Sequence, residues 1–365
     1  MNVILIPSVR GGLGHIGRTA ALARAITRLA PQTNIEYLLD VEEIRAFNID
    51  AAAAMGYRVN FLPLRHRNER DPVIRACLGH ADVIVEDTSR SLIPYRAIVP
   101  HAAWLSIPMY PLWDELFMDW PLLQQVDAIA WAYPPALEFP PELASLSAKV
   151  LRTGPFMELA DIPKQRAARN SLGFAPTEKI LLYSPRGMSF GRDFGEQVLA
   201  AVIGAANILR KEQNVRLVLT SVNDRNDLRS PGVPEPLPKW ISVVPTLASR
   251  QMLTYMRAAD IAITEGSNAT QEAAALGTPI LMVPGTIYEA WVLGTLLQSV
   301  NGAKVIWIET VNASTLAENL RELLNDKGVR DTTVANAKQA VSGGSGVDAA
   351  ARWVINAGKR RKVKR

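Results

Sequence analysis

Short apolar runs, many of them β-branched, alternate along this chain with longer segments whose apolar residues recur at helical spacing. The runs predict buried parallel strands and the longer segments predict helices that cover the sheet, which together give a three-layer α/β arrangement. The predicted strands are Val3–Pro7, Ile35–Leu39, Tyr57–Pro63, Asp82–Val85, Ala97–Ile107 and Val150–Phe156 in the first half, and Lys179–Tyr183, Val215–Thr220, Trp240–Val244, Asp260–Thr264 and Ile280–Val283 in the second. The predicted helices are Thr19–Leu29, Glu42–Met55, Val73–Gly79, Phe194–Leu209, Met252–Met256 and Ala269–Leu276.

The pattern occurs twice, and 365 residues exceed the size of one typical domain. We therefore predict an N-terminal domain over residues 1–157, a C-terminal domain over 158–345, and a final helix with a basic tail over 346–365. Each half has a glycine-bearing loop after its first strand. We expect a ligand to bind in a cleft between two such domains.

Composition narrows the class of protein. With 48% hydrophobic and 21% charged residues the chain is globular, and no apolar run approaches the ~18 residues of a membrane span. The opening segment is predicted to be a first strand and not a signal peptide. The single cysteine, Cys77, excludes a disulfide framework and indicates a cytoplasmic location. The four histidines are scattered, so no metal site is predicted.

The net charge of +5 is concentrated at one end. Residues 358–365 contain six Lys and Arg, so the body of the chain is close to neutral. One interpretation is a solvated end. The other is peripheral attachment to an anionic membrane surface, on the inner face, at about 1 kcal/mol for each basic residue. No base-reading motif accompanies the tail, so a nucleic-acid partner is not favoured.

Two loops have the composition of phosphate sites. Residues 11–18, GGLGHIGR, follow the first strand and precede a helix, where glycine lets the backbone approach a ligand. Gly12, Gly14 and Gly17 have the spacing of a dinucleotide fingerprint, with Asp40 at the distance of a ribose-binding acid, so a dinucleotide site is a second interpretation.

The second loop lies within residues 260–284, which read as strand, polar turn, helix and strand. Ser267 and Asn268 are good N-cap residues, and Gly277 ends the helix that they open. A helix that begins just past the carboxyl end of a parallel strand offers backbone N–H groups and the positive end of its dipole. The pattern favours phosphate as the ligand.

Residues 104–139 contain four of the eight tryptophans, interrupted by prolines. One interpretation is a region that caps the core. The other is an apolar acceptor pocket or an interfacial surface, because tryptophan suits a site that is half wet and half apolar.

Residues 243–284 resemble the donor-binding signature of GT-B glycosyltransferases, most nearly that of the N-acetylglucosaminyltransferases that complete the lipid-linked peptidoglycan precursor. The loop GGLGHIGR is similar to the acceptor-side loop of that family. Its form GxGHxxR is also similar to the nucleotide-sugar hydrolases of pseudaminic-acid synthesis, which share the fold. The resemblance implies a GT-B fold: two Rossmann-like domains that face each other across a cleft.

The resemblance also implies a donor site in the second domain. Glu272 is expected to hold the donor ribose, and a carboxylate suits this task because it accepts two strong hydrogen bonds from hydroxyls. The remaining donor-site residues are predicted as follows: Gly266, Ser267, Asn268, Ala269 and Thr270 at the diphosphate, Ser184, Arg186, Gly187 and Ser189 at phosphate, Thr246 and Leu247 at the base, and Glu289 at the sugar.

In the first domain, Gly12, Gly14 and Arg18 belong to the acceptor-side loop, and His15 is the expected general base because imidazole titrates near neutral pH. Asp87, at the end of a predicted strand, is the second candidate base.

We therefore expect a metal-independent, cofactor-free glycosyltransferase that uses a nucleoside-diphosphate sugar, UDP-linked, and an acceptor that is lipid-linked or amphipathic. Arg18 stands where the family has proline, which keeps open a nucleotide-sugar hydrolase. A third hypothesis is a non-catalytic accessory subunit of the same fold.

Overall fold

The computed structural model describes residues 1–8, 14–40, 56–62, 67–88, 95–109, 123–137, 140–185, 193–220, 228, 233–245, 247, 249–341 and 346–363. The chain folds into two compact units. The first contains residues 1–158 and 343–365, and the second contains residues 159–342.

The first unit is built on a seven-stranded parallel sheet. Its strands are β1 (Asn2–Pro7), β2 (Asn34–Asp40), β3 (Arg58–Leu62), β4 (Val83–Asp87), β5 (Ala103–Ile107), β6 (Ala128–Trp131) and β7 (Val150–Arg152), in the order β3-β2-β1-β4-β5-β6-β7. Its helices are α1 (Gly14–Leu29), α2 (Arg67–Gly79) and the short α3 (Pro141–Ala144), with one from the C-terminal end of the chain. The strand order reverses between β1 and β4, so the carboxyl ends of these two strands lie side by side.

The helix from the end of the chain completes the core of the first unit. Spanning Gly346–Val363, it packs on α1 and buries five apolar residues in the first core: Val347, Ala350, Ala351, Val354 and Ile355. Gly346 lies against the carbonyl groups of Thr153 and Gly154, where a Cβ atom has no room. Arg28 of α1 pairs with Asp348 of this helix. The last segment is therefore part of the first unit although it follows the second in sequence.

The second unit repeats the plan with six parallel strands. They are β8 (Lys179–Ser184), β9 (Val215–Leu219), β10 (Ile241–Val243), β11 (Ile261–Thr264), β12 (Ile280–Met282) and β13 (Lys304–Val305), in the order β10-β9-β8-β11-β12-β13. The helices are α4 (Gln165–Ser171), α5 (Asp193–Leu209), α6 (Ser249–Ala258), α7 (Asn268–Leu276), α8 (Tyr288–Ser299), α9 (Ala313–Asn325) and α10 (Lys327–Val341); the C-terminal helix of the first unit is α11. Here the order reverses between β8 and β11, which brings Ser184 beside Thr264.

Most predicted strands are present with ends shifted by one or two residues, but the strand predicted over Val150–Phe156 ends at Arg152, four residues early. The prediction for Ala97–Ile107 is wrong in its first half, because the strand begins only at Ala103. Pro100 precedes it, and proline has no N–H group to give to a sheet. The short strands β6 and β13 were not predicted. The predicted helix Glu42–Met55 lies outside the described residues.

None of the helices in the described ranges has the length and apolar character needed to cross a membrane.

Candidate active site

The first group of predicted residues meets at the carboxyl ends of β1 and β4. His15 lies in the first turn of α1, the helix that follows β1, and Asp87 is the last residue of β4. Asp87 is completely buried, whereas the His15 side chain is 17% exposed. The backbone N–H of Ser8 donates to the carbonyl of Asp87 at 2.8 Å, so the chain leaving β1 is tied to the end of β4.

Asp87 accepts hydrogen bonds from three side chains. His15 Nδ1 lies 2.8 Å from Asp87 Oδ1. Arg18 donates from Nε to Oδ2 at 2.9 Å and from Nη2 to Oδ1 at 2.5 Å, which is a bidentate pair between buried groups. Thr88 Oγ1 donates to Oδ1 at 3.1 Å. A buried carboxylate with this many donors has one fixed orientation, and it fixes the imidazole in turn.

Thr88 adopts a backbone conformation that is uncommon for its type. Its φ of 62° lies in the left-handed region, which a β-branched residue rarely occupies. In this conformation its hydroxyl reaches the Asp87 carboxylate and lies 3.5 Å from His15 Nδ1. The outlier therefore occurs at the residue that completes the polar cluster, where strain often accompanies function.

The charges of the cluster favour an ionised Asp87. Burial alone raises the pKa of this carboxyl, but the charges and hydrogen bonds of Arg18 and His15 outweigh it and lower the pKa to about 2. Because Asp87 is anionic at neutral pH, the 2.8 Å contact to His15 requires a proton on Nδ1. Nε2 then carries the free lone pair of the neutral ring. Asp87, predicted as a second candidate base, lies where it can orient His15.

The second group of predicted residues forms the turn before α7. Ser267 caps the helix and its hydroxyl accepts from the N–H of Ala269 at 3.3 Å. Thr270 Oγ1 accepts from the N–H groups of Gly266 and Ser267 at 3.2 and 3.3 Å and donates to Thr264 Oγ1 at 2.8 Å. The N–H groups that were expected to be free are thus held by long hydrogen bonds to side-chain oxygens. A diphosphate that binds here has to replace these contacts.

Gly266 has a φ of +79° and packs closely on its neighbours. A Cβ atom at this position would lie 2.6 Å from the Met282 methyl group and 2.7 Å from Ala290 of α8. The turn therefore rests directly on the first turn of α8, which also carries Glu289. Glycine is required here both by conformation and by space.

Glu272 lies in α7, one turn beyond the cap, and is only partly buried. Desolvation raises the pKa of its carboxyl to about 7, and no charged neighbour within the described ranges offsets this rise. A carboxylate that is costly to ionise in the free protein is a candidate for a ligand-binding group.

A buried pair that the sequence did not indicate lies beside the same turn. Tyr183 of β8 donates its hydroxyl proton to Glu265 Oε1 at 2.5 Å, and both side chains are buried. Burial and the adjacent Glu265 charge raise the pKa of Tyr183 well above its ordinary value. The contact joins the carboxyl ends of β8 and β11. The available signal was an acid placed directly after an apolar strand.

The remaining predicted residues divide into described and undescribed ones. Ser184 is buried at the end of β8, beside Thr264. The first two residues of α7 are Asn268 and Ala269. Leu247 is half-buried before α6, Glu289 is buried in α8, and Gly14 is exposed at the start of α1. Gly12, Arg186, Gly187, Ser189 and Thr246 lie outside the described residues, as do Trp113 and Trp120 of the aromatic segment. Trp104 and Trp131 of that segment are buried in β5 and β6.

Within the described ranges, no cluster of three or more His, Cys, Asp or Glu side chains is arranged to hold a metal ion.

Comparison with known proteins finds similarity in structure but not in sequence. No protein-family model matches the chain, and no curated protein matches it. Among solved structures, the glycotransferase of kitacinnamycin is 15% identical with a TM-score of 0.67, covering 98% of each chain. A putative UDP-N-acetylglucosamine 2-epimerase from Listeria monocytogenes is 13% identical with a TM-score of 0.67, covering 100% of this chain and 97% of that one.

MurG from Acinetobacter baumannii is 13% identical with a TM-score of 0.60, covering 97% of this chain and 99% of that one. At such identities the likeness establishes the fold alone. The predicted α/β class is confirmed, and the chain has the GT-B fold that its sequence signature implied.

Proposed function

We propose that this chain is a glycosyltransferase that moves a sugar from a UDP-linked or other nucleoside-diphosphate sugar to an acceptor hydroxyl. The observation that carries the proposal is the hydrogen bond between His15 and the completely buried, anionic Asp87. A buried carboxylate behind an imidazole is an arrangement that fixes its tautomer and supports proton transfer.

His15 acts as the general base of the first unit. Its Nε2 takes the proton of the acceptor hydroxyl while the oxygen forms a bond to the anomeric carbon of the donor sugar. The bond from that carbon to the diphosphate oxygen breaks, and the nucleoside diphosphate leaves with the electron pair. Asp87 stays ionised throughout and stabilises the imidazolium that forms.

The second unit binds the donor. The N-terminal turn of α7 supplies backbone N–H groups and the positive end of the helix dipole for the diphosphate, with Ser184 beside it. These groups take the role that a divalent cation has in metal-dependent transfer. Glu272 accepts hydrogen bonds from the ribose hydroxyls, Leu247 approaches the base, and Glu289 contacts the sugar.

The chemical role of His15 is tested by His15→Gln. We expect turnover to fall about 10²- to 10⁴-fold, the usual contribution of a general base, while the affinity for a UDP-sugar stays unchanged. His80→Gln is the matched control, because His80 is an exposed histidine in the same unit that bonds the backbone of Ala76. Unchanged turnover in His15→Gln contradicts the assignment.

A nucleotide-sugar hydrolase is the second candidate, and the observation that favours it is Arg18 inside the cluster. Nε2 of His15 accepts a proton from water as readily as from an acceptor. The two functions separate when the chain is incubated with nucleotide sugars and no acceptor. Rapid and complete release of free sugar indicates the hydrolase, and persistence of the donor until an acceptor is added indicates the transferase.

A lipid-linked or amphipathic acceptor and contact with an anionic membrane complete the proposal. The acceptor is supported only by the sequence, through Trp113 and Trp120, because Trp104 and Trp131 of the same segment are buried in the core. The membrane contact is supported by the basic residues of 358–365.

A further inference from the structure

Arg18 occupies an unusual place for a cation, because it is buried beside the residue that has to become cationic. Its side chain is 5% exposed, and its Nη2 atom lies 3.1 Å from His15 Nδ1. Both nitrogens direct their protons to the same oxygen, Asp87 Oδ1. Protonation of His15 therefore places two positive charges within about one hydrogen-bond length of each other, around a single negative charge.

We propose that Arg18 is a positioning residue that neutralises Asp87 and so keeps the His15 ring uncharged and ready to accept a proton. With His15 neutral, the buried Arg18–Asp87 pair has no net charge. With His15 protonated, the group has a net charge of +1 in a desolvated place, which is unfavourable. Without Arg18, Asp87 is an uncompensated anion that holds the proton on His15.

Two charged side chains of the described residues act on Asp87. One is Arg18 and the other is His15 when its ring is protonated, and both lie on α1. The flanking strands β1 and β5 place Pro7 and Ile107 beside Asp87, and neither is charged. Thr88 contributes a neutral hydroxyl, and the preceding acid, Glu86, accepts a hydrogen bond from Ser106.

The catalytic advantage of an uncharged His15 rests on the proposed function, because His15 acts as a base only in that function. A base that stays neutral is available for catalysis at lower pH than a histidine paired with a lone carboxylate. Arg18 also explains how a fully buried carboxylate is tolerated at this position when the ring is neutral.

The test is the titration of His15 measured by NMR on the ligand-free full chain, with the signals of the four histidines assigned through His15→Gln. In Arg18→Gln we expect the pH of half-protonation of His15 to rise by at least about one unit, a tenfold change in proton affinity. In Arg18→Lys, which keeps the positive charge, we expect it to stay within a few tenths of a unit of wild type. An unchanged or lowered midpoint in Arg18→Gln, with the fold intact by circular dichroism, overturns the proposal.

A second comparison keeps the proposal testable if Arg18→Gln fails to fold with an unpaired buried carboxylate. Asp87→Asn and the double variant Arg18→Gln/Asp87→Asn differ only in the Arg18 charge. The midpoint is expected to be about one unit higher in the double variant, and equal midpoints overturn the role of Arg18. Because both titrations are read without substrate, a chain that shows the expected shifts but transfers no sugar contradicts the proposed function and not the effect of Arg18 on His15.

Discussion

The carboxyl of Glu272 is unfavourable to ionise in the free protein, and a ligand that donates hydrogen bonds to it can offset this free energy. Burial raises the pKa of its carboxyl to about 7 from an ordinary value of 4.5. The folded state therefore binds this proton more tightly than the unfolded state. The resulting stability is fully present below about pH 4.5 and is lost as the pH rises toward 7.

Glu272→Gln is expected to stabilise the free protein at pH 8 and to have no such effect at pH 4. Allowing for the partial exposure of the side chain, the gain in free energy of unfolding is about 2 kcal/mol. Denaturant unfolding at the two pH values measures it. Glu318→Gln, at an exposed position on α9, is the control, and an equal effect of both substitutions contradicts the electrostatic explanation.

In the proposed donor site, the same carboxyl is expected to make donor binding depend on pH. Only the ionised form accepts two hydroxyl donors, so the affinity for a UDP-sugar is expected to fall about tenfold between pH 8 and pH 6. A UDP-sugar is suitable because its diphosphate does not titrate in this range. Calorimetry that gives equal affinities at both pH values would remove Glu272 from the site.

At this scale the sequence indicated candidate residues but not their partners. His15 and Asp87 were identified from their positions after predicted strands. The pairing of His15 with Asp87 and the bidentate contact of Arg18 both require β1 and β4 to be neighbours in the sheet. These two strands are about 80 residues apart in sequence. Thr88 was not identified, because nothing in a local pattern signals a left-handed threonine.

Gly266 is the structural requirement of the turn before α7. It combines a positive φ with contacts that leave no room for a Cβ atom. Gly173, in the same unit, also has a positive φ of +72° but has open space around it. The two glycines thus separate conformational strain from steric overlap.

Gly266→Ala is expected to cost about 3 kcal/mol or more in free energy of unfolding, and Gly173→Ala about 1 kcal/mol. Only Gly266→Ala is expected to weaken UDP-sugar binding, because relief of the overlap with Met282 and Ala290 has to move the turn. Thermal unfolding and calorimetry measure the two effects. Equal losses for both variants would show that packing on α8 is not what fixes the turn.

Element patterns were predictable where the signals were strong. The strand–turn–helix–strand unit of residues 260–284 was predicted almost residue for residue, because an apolar β-branched run, two N-cap residues and a C-cap glycine coincide there. The two-residue β13 and the four-residue β6 were missed, since runs this short carry no usable periodicity. The capping box that holds the turn's N–H groups required knowledge of the rotamers of Ser267 and Thr270.

At the scale of the whole molecule, the chain returns to its first unit after completing the second, and its last helix belongs to the core of the first unit. α11 was predicted as a helix, but composition gave no indication of the core that it completes, because its packing on α1 joins residues more than 300 positions apart. Five of its apolar side chains are in that core.

Truncation distinguishes the structural part of this segment from its basic end. Removal of residues 346–365 is expected to prevent cooperative folding of the first unit, because the buried face of α11 is lost. Removal of residues 359–365 alone is expected to change the melting temperature by less than about 2 °C. Equal destabilisation by the two truncations contradicts this division.

The shorter truncation also tests membrane contact. If the basic end attracts anionic lipid, the full chain sediments with anionic vesicles and the chain ending at Gly358 does so much less, while neither sediments with neutral vesicles. Equal sedimentation of both chains would place the contact elsewhere or exclude it.

Sugar transfer by this chain is tested most directly by mass spectrometry. The purified chain is incubated, with EDTA present, with a panel of nucleotide sugars and a set of lipid-linked, amphipathic and phenolic acceptors. The predicted result is release of a nucleoside diphosphate together with an acceptor whose mass has increased by one sugar residue, both lost in His15→Gln. Release of free sugar with no change in any acceptor, or no consumption of any donor, would contradict it.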